Sequence, residues 1–133
     1  MSYLCLYFQA HQPRRLNRRP NATTPFNDVL DREIRDKLAA TTYLPGNQRL
    51  SRLVRKYDNF HISVGISGTL IEQARRFHPS LLKSFQDLAD TGRETGRIEF
   101  VGETYYHSLA GLFEDRNKGE FRDQIRMHRE AMK

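Results

Sequence analysis

Two short apolar runs in this chain are each followed at once by a polar segment. The first run covers residues 3–10 and leads into 11–13, and the second covers 97–101 and leads into 102–109. Each pattern is typical of a buried parallel strand that ends in polar side chains. Open α/β sheets and α/β barrels bind their ligands at the carboxyl ends of such strands. The two segments therefore predict one shared site that is rich in histidine, carboxylate and tyrosine side chains.

The elements predicted along the chain alternate between strands and helices. Strands are predicted at 3–10, 61–66 and 97–101, and helices at 28–41, from 47, at 68–77, from 79 and after 119. Alternation of this kind implies crossover helices and a parallel sheet. The sequence therefore predicts an α/β fold with about three parallel strands and flanking helices.

Glycine, proline and apolar spacing set the expected ends and buried faces of the helices. Pro45-Gly46 is predicted to break the chain before the second helix, and Gly92 to cap the helix that begins at Pro79. Periodic apolar residues define the expected buried stripes of the first and last helices. These are Leu30, Ile34 and Leu38 in the first helix, and Phe121, Ile125, His128 and Met132 in the last.

The chain has 133 residues, which suits one domain or a part of a larger one. Three parallel strands alone leave two unpaired sheet edges, and the last predicted helix reaches Lys133 without a stop signal. We therefore expect residues 1–133 to form a single partial domain, the N-terminal portion of a larger barrel or sheet. Its expected protein partner is the remainder of that barrel or a second copy of the chain.

The composition limits the classes of protein to which the chain can belong. Apolar residues make up 38% of it and charged residues 29%, and no run of 18 apolar residues occurs, so no transmembrane helix and no membrane partner are predicted. The N-terminus lacks the features of a signal peptide, which predicts a cytoplasmic protein. The single cysteine, Cys5, lies in the first apolar run and is expected to be buried and unreactive.

The net charge of +6 permits an anionic partner. The one compact basic cluster consists of Arg14, Arg15, Arg18 and Arg19. No aromatic side chains are interleaved with it, as a stacking platform for single-stranded nucleic acid requires. We therefore favour a solvated basic surface and expect no nucleic-acid partner, with a basic nucleic-acid-binding domain as the less favoured alternative.

The segment after the first strand offers His11 and Gln12 to the predicted site. A histidine at a strand end can hydrogen-bond a hydroxyl group or transfer a proton, and it can equally be a structural residue bonded to a neighbouring loop. Gln12 presents both a donor and an acceptor, which suits sugar hydroxyls. Pro13 biases Gln12 toward an extended backbone.

The segment after the last strand offers Glu103, Tyr105, Tyr106 and His107. If Glu103 lies near other carboxylates, its pKa rises and it could act as a general acid, whereas bonding to backbone amides or to an arginine would make it structural. The two tyrosines could stack on a sugar ring, and we expect one of them to pack instead.

No cofactor and no metal centre are predicted. The five histidines lack the close spacing of a zinc helix or knuckle, although His11 and His107 could meet in space. His61 and His128 fall in core-like patterns and are expected to be structural. The sequence contains no GxxxxGK loop, no GxGxxG and no GxSxG elbow.

The two polar segments together resemble the N-terminal part of glycoside hydrolase family 57, the α-amylase and 4-α-glucanotransferase family. The triplet 11–13, HQP, is similar to that family's first motif, and 96–109, GRIEFVGETYYHSL, to its second. Residues 43–47 and 63–68 also resemble family segments. The likeness covers nearly the whole chain, and HQP combined with GETYYHSL in this order is fairly specific.

The resemblance implies the N-terminal portion of an incomplete (β/α)7 barrel, related to polysaccharide deacetylases, and retaining chemistry on α-glucans. Such chemistry uses two carboxyl groups about 5 Å apart. In the family the nucleophile is a glutamate after the fourth strand and the acid/base an aspartate near the seventh, both expected beyond Lys133. No catalytic residue is therefore expected in this chain, and the expected substrate-binding residues are His11, Gln12, Glu103, Tyr105 and His107.

Two functions from different classes follow for this sequence. The first is an N-terminal fragment of an α-glucan-active glycoside hydrolase that contributes substrate contacts and is inactive alone. The second is a standalone carbohydrate-binding or interaction module without catalysis. An α-glucan or another oligosaccharide is the expected ligand in the first case, and an oligosaccharide or a protein in the second.

Overall fold

A computed structural model describes residues 4–19, 23, 25–114 and 117–133 of the chain. Among these residues three strands form one sheet: β1 (Tyr7–Ala10), β2 (Ile62–Ile66) and β3 (Ile98–Val101), in the order β1-β2-β3. Both neighbouring pairs are parallel, and Gly65 of β2 lies opposite Gln9 of β1 and Val101 of β3. The predicted α/β fold with three parallel strands and flanking helices is confirmed.

In the part of the chain that the structure describes, five α-helices connect and follow the strands. They are α1 (Asp28–Leu38), α2 (Leu44–Lys56), α3 (Gly68–Phe77), α4 (Pro79–Thr95) and α5 (Gly119–Ala131). A π-helix, Ala39–Tyr43, joins α1 to α2, and a short 3₁₀ helix, Ala110–Leu112, precedes α5. Each parallel step along the sheet is therefore a strand–helices–strand crossover, which is the unit of α/β barrels.

The hydrophobic core lies between the sheet and the helices. One cluster joins Ala10 and Ile66 to apolar residues of α3 and α4, including Leu70 and Leu81. A second cluster joins Val64 to other residues of β2, α2 and α4, namely Ile62, Val54 and Leu88. Because side chains alternate along a strand, the intervening residues of each strand lie on the opposite face of the sheet. The polar residues of the sheet, such as Gln9, occupy that face.

Pro45-Gly46 does not break the chain, so that prediction was wrong. Pro45 lies in the first turn of α2, the part of a helix in which proline is best tolerated. The preceding π-helix carries the backbone from α1 into α2. Residues 28–56 therefore form one nearly continuous helical segment, where two separate helices were predicted.

Gly92 does not cap α4, which continues to Thr95 and ends at Gly96. Gly96 has a φ of 68°, a left-handed conformation that glycine adopts without steric cost. The hydroxyls of Thr91 and Thr95 bond to the carbonyl groups four residues earlier, at 2.9 and 2.8 Å, within the last turns. The prediction failed because either glycine of the repeated Thr-Gly-Arg triplet could have served as a cap, and only the second does.

Two of the predicted buried stripes are wrong. In α1 the buried side chains are the polar Asp31 and Arg35, while Leu30 is exposed. In α5 only Gln124 and His128 are buried, and the apolar members of the predicted stripe are exposed. The mismatch in α1 is informative, because burying charged groups requires partners that the sequence pattern does not reveal.

Cys5 and His61 are exposed, which corrects the expectation that both lie in core-like positions. The first strand begins at Tyr7, so Cys5 precedes it, and Tyr3, where the strand was predicted to begin, is outside the described residues. His61 comes just before β2 begins. His128, by contrast, is buried as predicted.

Half of the predicted arginine cluster is neutralised by acidic residues of α1. Arg14 forms an ion pair with Asp28 at 2.6 Å, and Arg15 forms one with the buried Asp31 at 3.1 Å. The guanidinium of Arg14 also lies over the ring of Phe26.

Among the helices that the structure describes, none combines the length and apolar character needed to cross a membrane.

Candidate functional site

The carboxyl ends of the three strands bring their polar side chains to one place. His11 follows β1, Ser67 follows β2, and Glu103 and His107 follow β3. The rings of His11 and His107 stack with their centroids 4.7 Å apart and their planes tilted by 33°. The structure thus joins the two segments that the sequence singled out.

His11 is anchored to the amino end of α3. Its Nδ1 lies 2.8 Å from the hydroxyl of Ser67 and 3.4 Å from that of Thr69. Ser67 is itself buried and caps α3 by accepting from the backbone N–H of Leu70. The ring orientation of His11 is therefore fixed by the residue at which β2 turns into α3.

The pKa of His11 is lowered from its ordinary value. Burial is the largest cause, because it penalises the charged imidazolium, and the neighbouring His107 acts in the same direction. The carboxylate of Glu103 opposes both effects without reversing them. The site therefore favours a neutral His11, which can offer one ring nitrogen as a donor and the other as an acceptor.

Glu103 connects the first strand to the segment after the last strand. Its carboxylate accepts from Nε2 of Gln9 at 2.9 and 3.1 Å and lies 2.7 Å from Nδ1 of His107. Gln9 also accepts a hydrogen bond from the hydroxyl of Tyr7. These groups cover the sheet at Gly65, where an added Cβ would meet both Tyr7 and Gln9.

His107 adopts a left-handed backbone conformation, with a φ of 53°. This region is uncommon for residues other than glycine, and asparagine, aspartate and histidine adopt it more often than the others do. Its N–H donates to the carbonyl of Thr104 at 2.9 Å, and the hydroxyl of Thr104 accepts from the N–H of Ser108 at 2.8 Å. This tight turn directs the imidazole back toward Glu103 and His11.

Gln12 lies behind His11 and is nearly inaccessible, with 8% of its surface exposed. Its Nε2 donates to the hydroxyl of Tyr43 at 3.1 Å, and its Oε1 accepts from Arg15 at 3.2 Å. Its main-chain carbonyl accepts from Nε2 of Gln73 at 2.8 Å. The polar groups of Gln12 are therefore engaged within the protein.

Tyr105 covers the start of α3, and its neighbour Tyr106 is the more exposed of the two. The ring of Tyr105 occupies the space that a Cβ on Gly68 would need, and its carbonyl accepts from the N–H of Thr69 at 3.3 Å. The two tyrosine rings meet edge to face at 4.9 Å. Burial, and next the charge of Glu72, raise the pKa of the Tyr105 phenol, so the group is neutral.

Three members of this site were not singled out in the sequence: Gln9, Ser67 and Thr69. Gln9 did carry a signal, because it is a polar residue inside an otherwise apolar strand. Ser67 carried a weaker one, since serine directly before a helix is a common N-cap. Thr69 carried no such signal.

Among residues 4–19, 23, 25–114 and 117–133, no group of three or more histidine, cysteine, aspartate or glutamate side chains could hold a metal ion.

The arrangement is suited to binding a polar, uncharged ligand. Neutral imidazole, carboxylate and amide groups lie side by side at one edge of the sheet and include both donors and acceptors. A hydroxyl group is donor and acceptor at once, so a polyhydroxylated molecule can match such a mixed surface.

Lowering the pH is expected to destabilise the fold through His11. Because the folded-state pKa of His11 is lowered, its contribution to the free energy of unfolding is complete above about pH 6.5 and is lost as the pH falls through the folded-state value. We expect urea unfolding at about pH 7.5 and about pH 5.5 to show that acidification lowers the free energy of unfolding less for His11→Asn than for the unchanged chain. His61→Asn, at an exposed histidine, is the matched control and should retain the full loss.

Comparison with known proteins gives two matches. The model of glycosyl hydrolase family 57 matches residues 5–133. The "Putative alpha-amylase" of Methanocaldococcus jannaschii is 37% identical over 132 residues, which cover 95% of this chain and 27% of that protein. The chain thus spans about a quarter of the length of this relative. The search of solved structures returned no significant match.

Proposed function

Because this chain belongs to glycosyl hydrolase family 57, we propose that it forms one side of an α-glucan-binding site in an enzyme of that family. The observation that carries the proposal is the cluster of His11, Glu103 and His107 at the carboxyl ends of three parallel strands. Ligands of α/β barrels bind at this end of the strands.

In this proposal His11, Glu103 and His107 contact sugar hydroxyls directly. Glu103 serves as an acceptor, and each imidazole offers whichever ring nitrogen its protein partner leaves available. Gln12 supports His11 from behind, since its own polar groups are already engaged. Tyr105 forms the wall of the site over α3.

The proposed reaction of the whole enzyme is retaining cleavage or transfer at an α-glucosidic bond. That chemistry needs a nucleophilic carboxylate and a separate acid/base carboxyl group about 5 Å apart. The family resemblance assigns neither role to a residue of this sequence. We therefore propose that the 133-residue chain binds oligosaccharide and does not cleave it.

The test is a titration of the purified chain with a maltooligosaccharide, in which binding is measured by calorimetry and by NMR. We expect weak binding, with a Kd of about 1 mM, and no product. His11→Ala should raise the Kd at least about tenfold, which corresponds to about 1.4 kcal/mol. His61→Ala, at an exposed histidine before the amino end of β2, should leave the Kd unchanged, and a β-linked oligosaccharide should bind more weakly.

Three results would contradict the proposal. Absence of binding by the folded chain, or equal effects of His11→Ala and His61→Ala, would remove the site from this cluster. Turnover of the maltooligosaccharide by the chain, abolished by Glu103→Gln, would show that it carries its own catalytic groups.

A standalone carbohydrate-binding module is the second candidate. It is supported by the completeness of the hydrogen bonds that link Gln9, Glu103 and His107 within this chain. A module that works alone should bind oligosaccharide with a Kd of about 1 µM rather than about 1 mM. The same titration therefore separates the two candidates.

A further inference from the structure

Helix α1 buries two charged side chains where the sequence predicted an apolar stripe. Asp31 is 2% exposed and Arg35 is 1% exposed. Removing a charge from water is costly unless the partners compensate for it, and buried ion pairs contribute little to stability on balance. The position of Asp31 therefore needs an explanation other than helix packing.

Asp31 holds the segment that follows His11. Its Oδ1 accepts from the backbone N–H of Arg15 at 3.0 Å and from Nη1 of the same residue at 3.1 Å. With the guanidinium held in this way, Nη2 of Arg15 donates to Oε1 of Gln12 at 3.2 Å, and Nη1 also reaches the carbonyl of Pro13 at 3.2 Å. One buried carboxylate thus fixes the side chain that fixes Gln12.

The connection continues from Gln12 to the main chain of His11. Gln12 donates to the hydroxyl of Tyr43, and that hydroxyl donates to the carbonyl of His11 at 3.3 Å. Gln73, on α3, holds the carbonyl of Gln12 at 2.8 Å. The peptide groups on both sides of Gln12 are therefore fixed by side chains from the helices behind the site.

From these contacts we propose that Asp31 is a positioning residue for His11 and acts through Arg15, Gln12 and Tyr43. The cost of the arrangement supports this role. Three buried polar atoms near it, Asp31 Oδ2, Arg35 Nη1 and Gln73 Oε1, have no hydrogen-bond partner among the described residues. Such atoms lower stability, and proteins accept local costs of this kind at functional sites.

The direct test follows the His11 imidazole by NMR in Asp31→Asn, with Asp28→Asn as the matched control. Both changes remove one carboxylate from the first turn of α1, but Asp28 is exposed and pairs with Arg14. Loss of positioning frees His11 from its partly buried place, so its pKa should rise toward about 6.5 in Asp31→Asn. If Asp31 influenced His11 only through its negative charge, removing that charge would lower the pKa of His11 instead. Asp28→Asn should leave the chemical shifts and the pKa of His11 unchanged.

A second variant, Tyr43→Phe, tests the same path without a change of charge. The ring still packs against Phe85, whose centroid is 5.9 Å away, while the hydroxyl that joins Gln12 to His11 is lost. It should raise the pKa of His11 in the same direction. If His11 is unchanged in Tyr43→Phe, or if Asp31→Asn lowers its pKa, the positioning role is refuted. Should Asp31→Asn not fold, Tyr43→Phe decides the question.

The consequence for ligand binding rests on the proposed function, and the two can fail separately. If the chain binds a maltooligosaccharide, Asp31→Asn and Tyr43→Phe should each raise the Kd about three- to tenfold, with Asp28→Asn within twofold of the unchanged chain. If the unchanged chain binds no sugar, the proposed function fails, while the NMR result still decides whether Asp31 positions His11.

Discussion

Gly92→Ala is expected to lower the free energy of unfolding by about 2 kcal/mol. Gly92 lies on the side of α4 that faces β3, and a Cβ there would lie 2.6 Å from the carbonyl oxygen of Ile98 and 3.0 Å from its Cβ. A backbone atom cannot move aside as a flexible side chain can, so α4 and β3 must separate. This cost exceeds the gain of about 1 kcal/mol that alanine brings to a helix interior.

Gly46→Ala is the matched control for this change, because Gly46 is also a helical glycine. It lies near the start of α2 with no atom within 4 Å of an added Cβ, so the substitution should raise the free energy of unfolding by up to about 1 kcal/mol. Urea unfolding of both variants should move the midpoint in opposite directions. A stabilised Gly92→Ala would show that α4 and β3 are not in close contact.

His128→Ala should destabilise the fold by about 3 kcal/mol, the larger of the two effects. The side chain is 3% exposed, and its Nε2 donates to the carbonyl of Ile66 at 2.8 Å. Removing it leaves a cavity between α5 and the sheet and deprives the last carbonyl of β2 of its partner. Both terms act in the same direction.

The control for His128→Ala is Arg129→Ala, at the next and exposed position of α5, which should change the free energy of unfolding by less than about 0.5 kcal/mol. Hydrogen exchange gives a local readout, since the amides of α5 should lose protection in His128→Ala. If α5 keeps its protection, the contact between His128 and Ile66 does not hold the helix on the sheet.

Much of the fold could be predicted from local patterns. The apolar residues of β2 and β3 and the amphipathic spacing of α4 are short-range features, and the alternation of strands with helices limits the topology to a parallel sheet. Gly92 and Gly96 mark the limit of such reasoning. Both are glycines near the end of a helical pattern, and only the packing of α4 against Ile98 shows which one the helix must retain in its interior.

The polar part of the fold was the least predictable. Periodicity favoured Leu30 for burial in α1, yet the helix turns Asp31 and Arg35 inward, where Asp31 bonds to Arg15 and the guanidinium of Arg35 lies over the ring of Phe77. These two partners lie outside α1, so no spacing rule reveals them. The site shows the same limit: His11 and Glu103 follow apolar strands and could be found, whereas the engagement of Gln12 by Tyr43 depends on the path of α2.

The left-handed backbone of His107 matters to anyone who redesigns this chain for greater stability. A φ of 53° is a backbone conformation that most residue types adopt poorly. Optimisation of the backbone alone would therefore choose glycine or asparagine at that position. Either choice would remove the ring that stacks on His11 and meets Glu103. If the chain binds sugar as proposed, variants selected for thermal stability without a ligand should lose that affinity through substitution of residue 107.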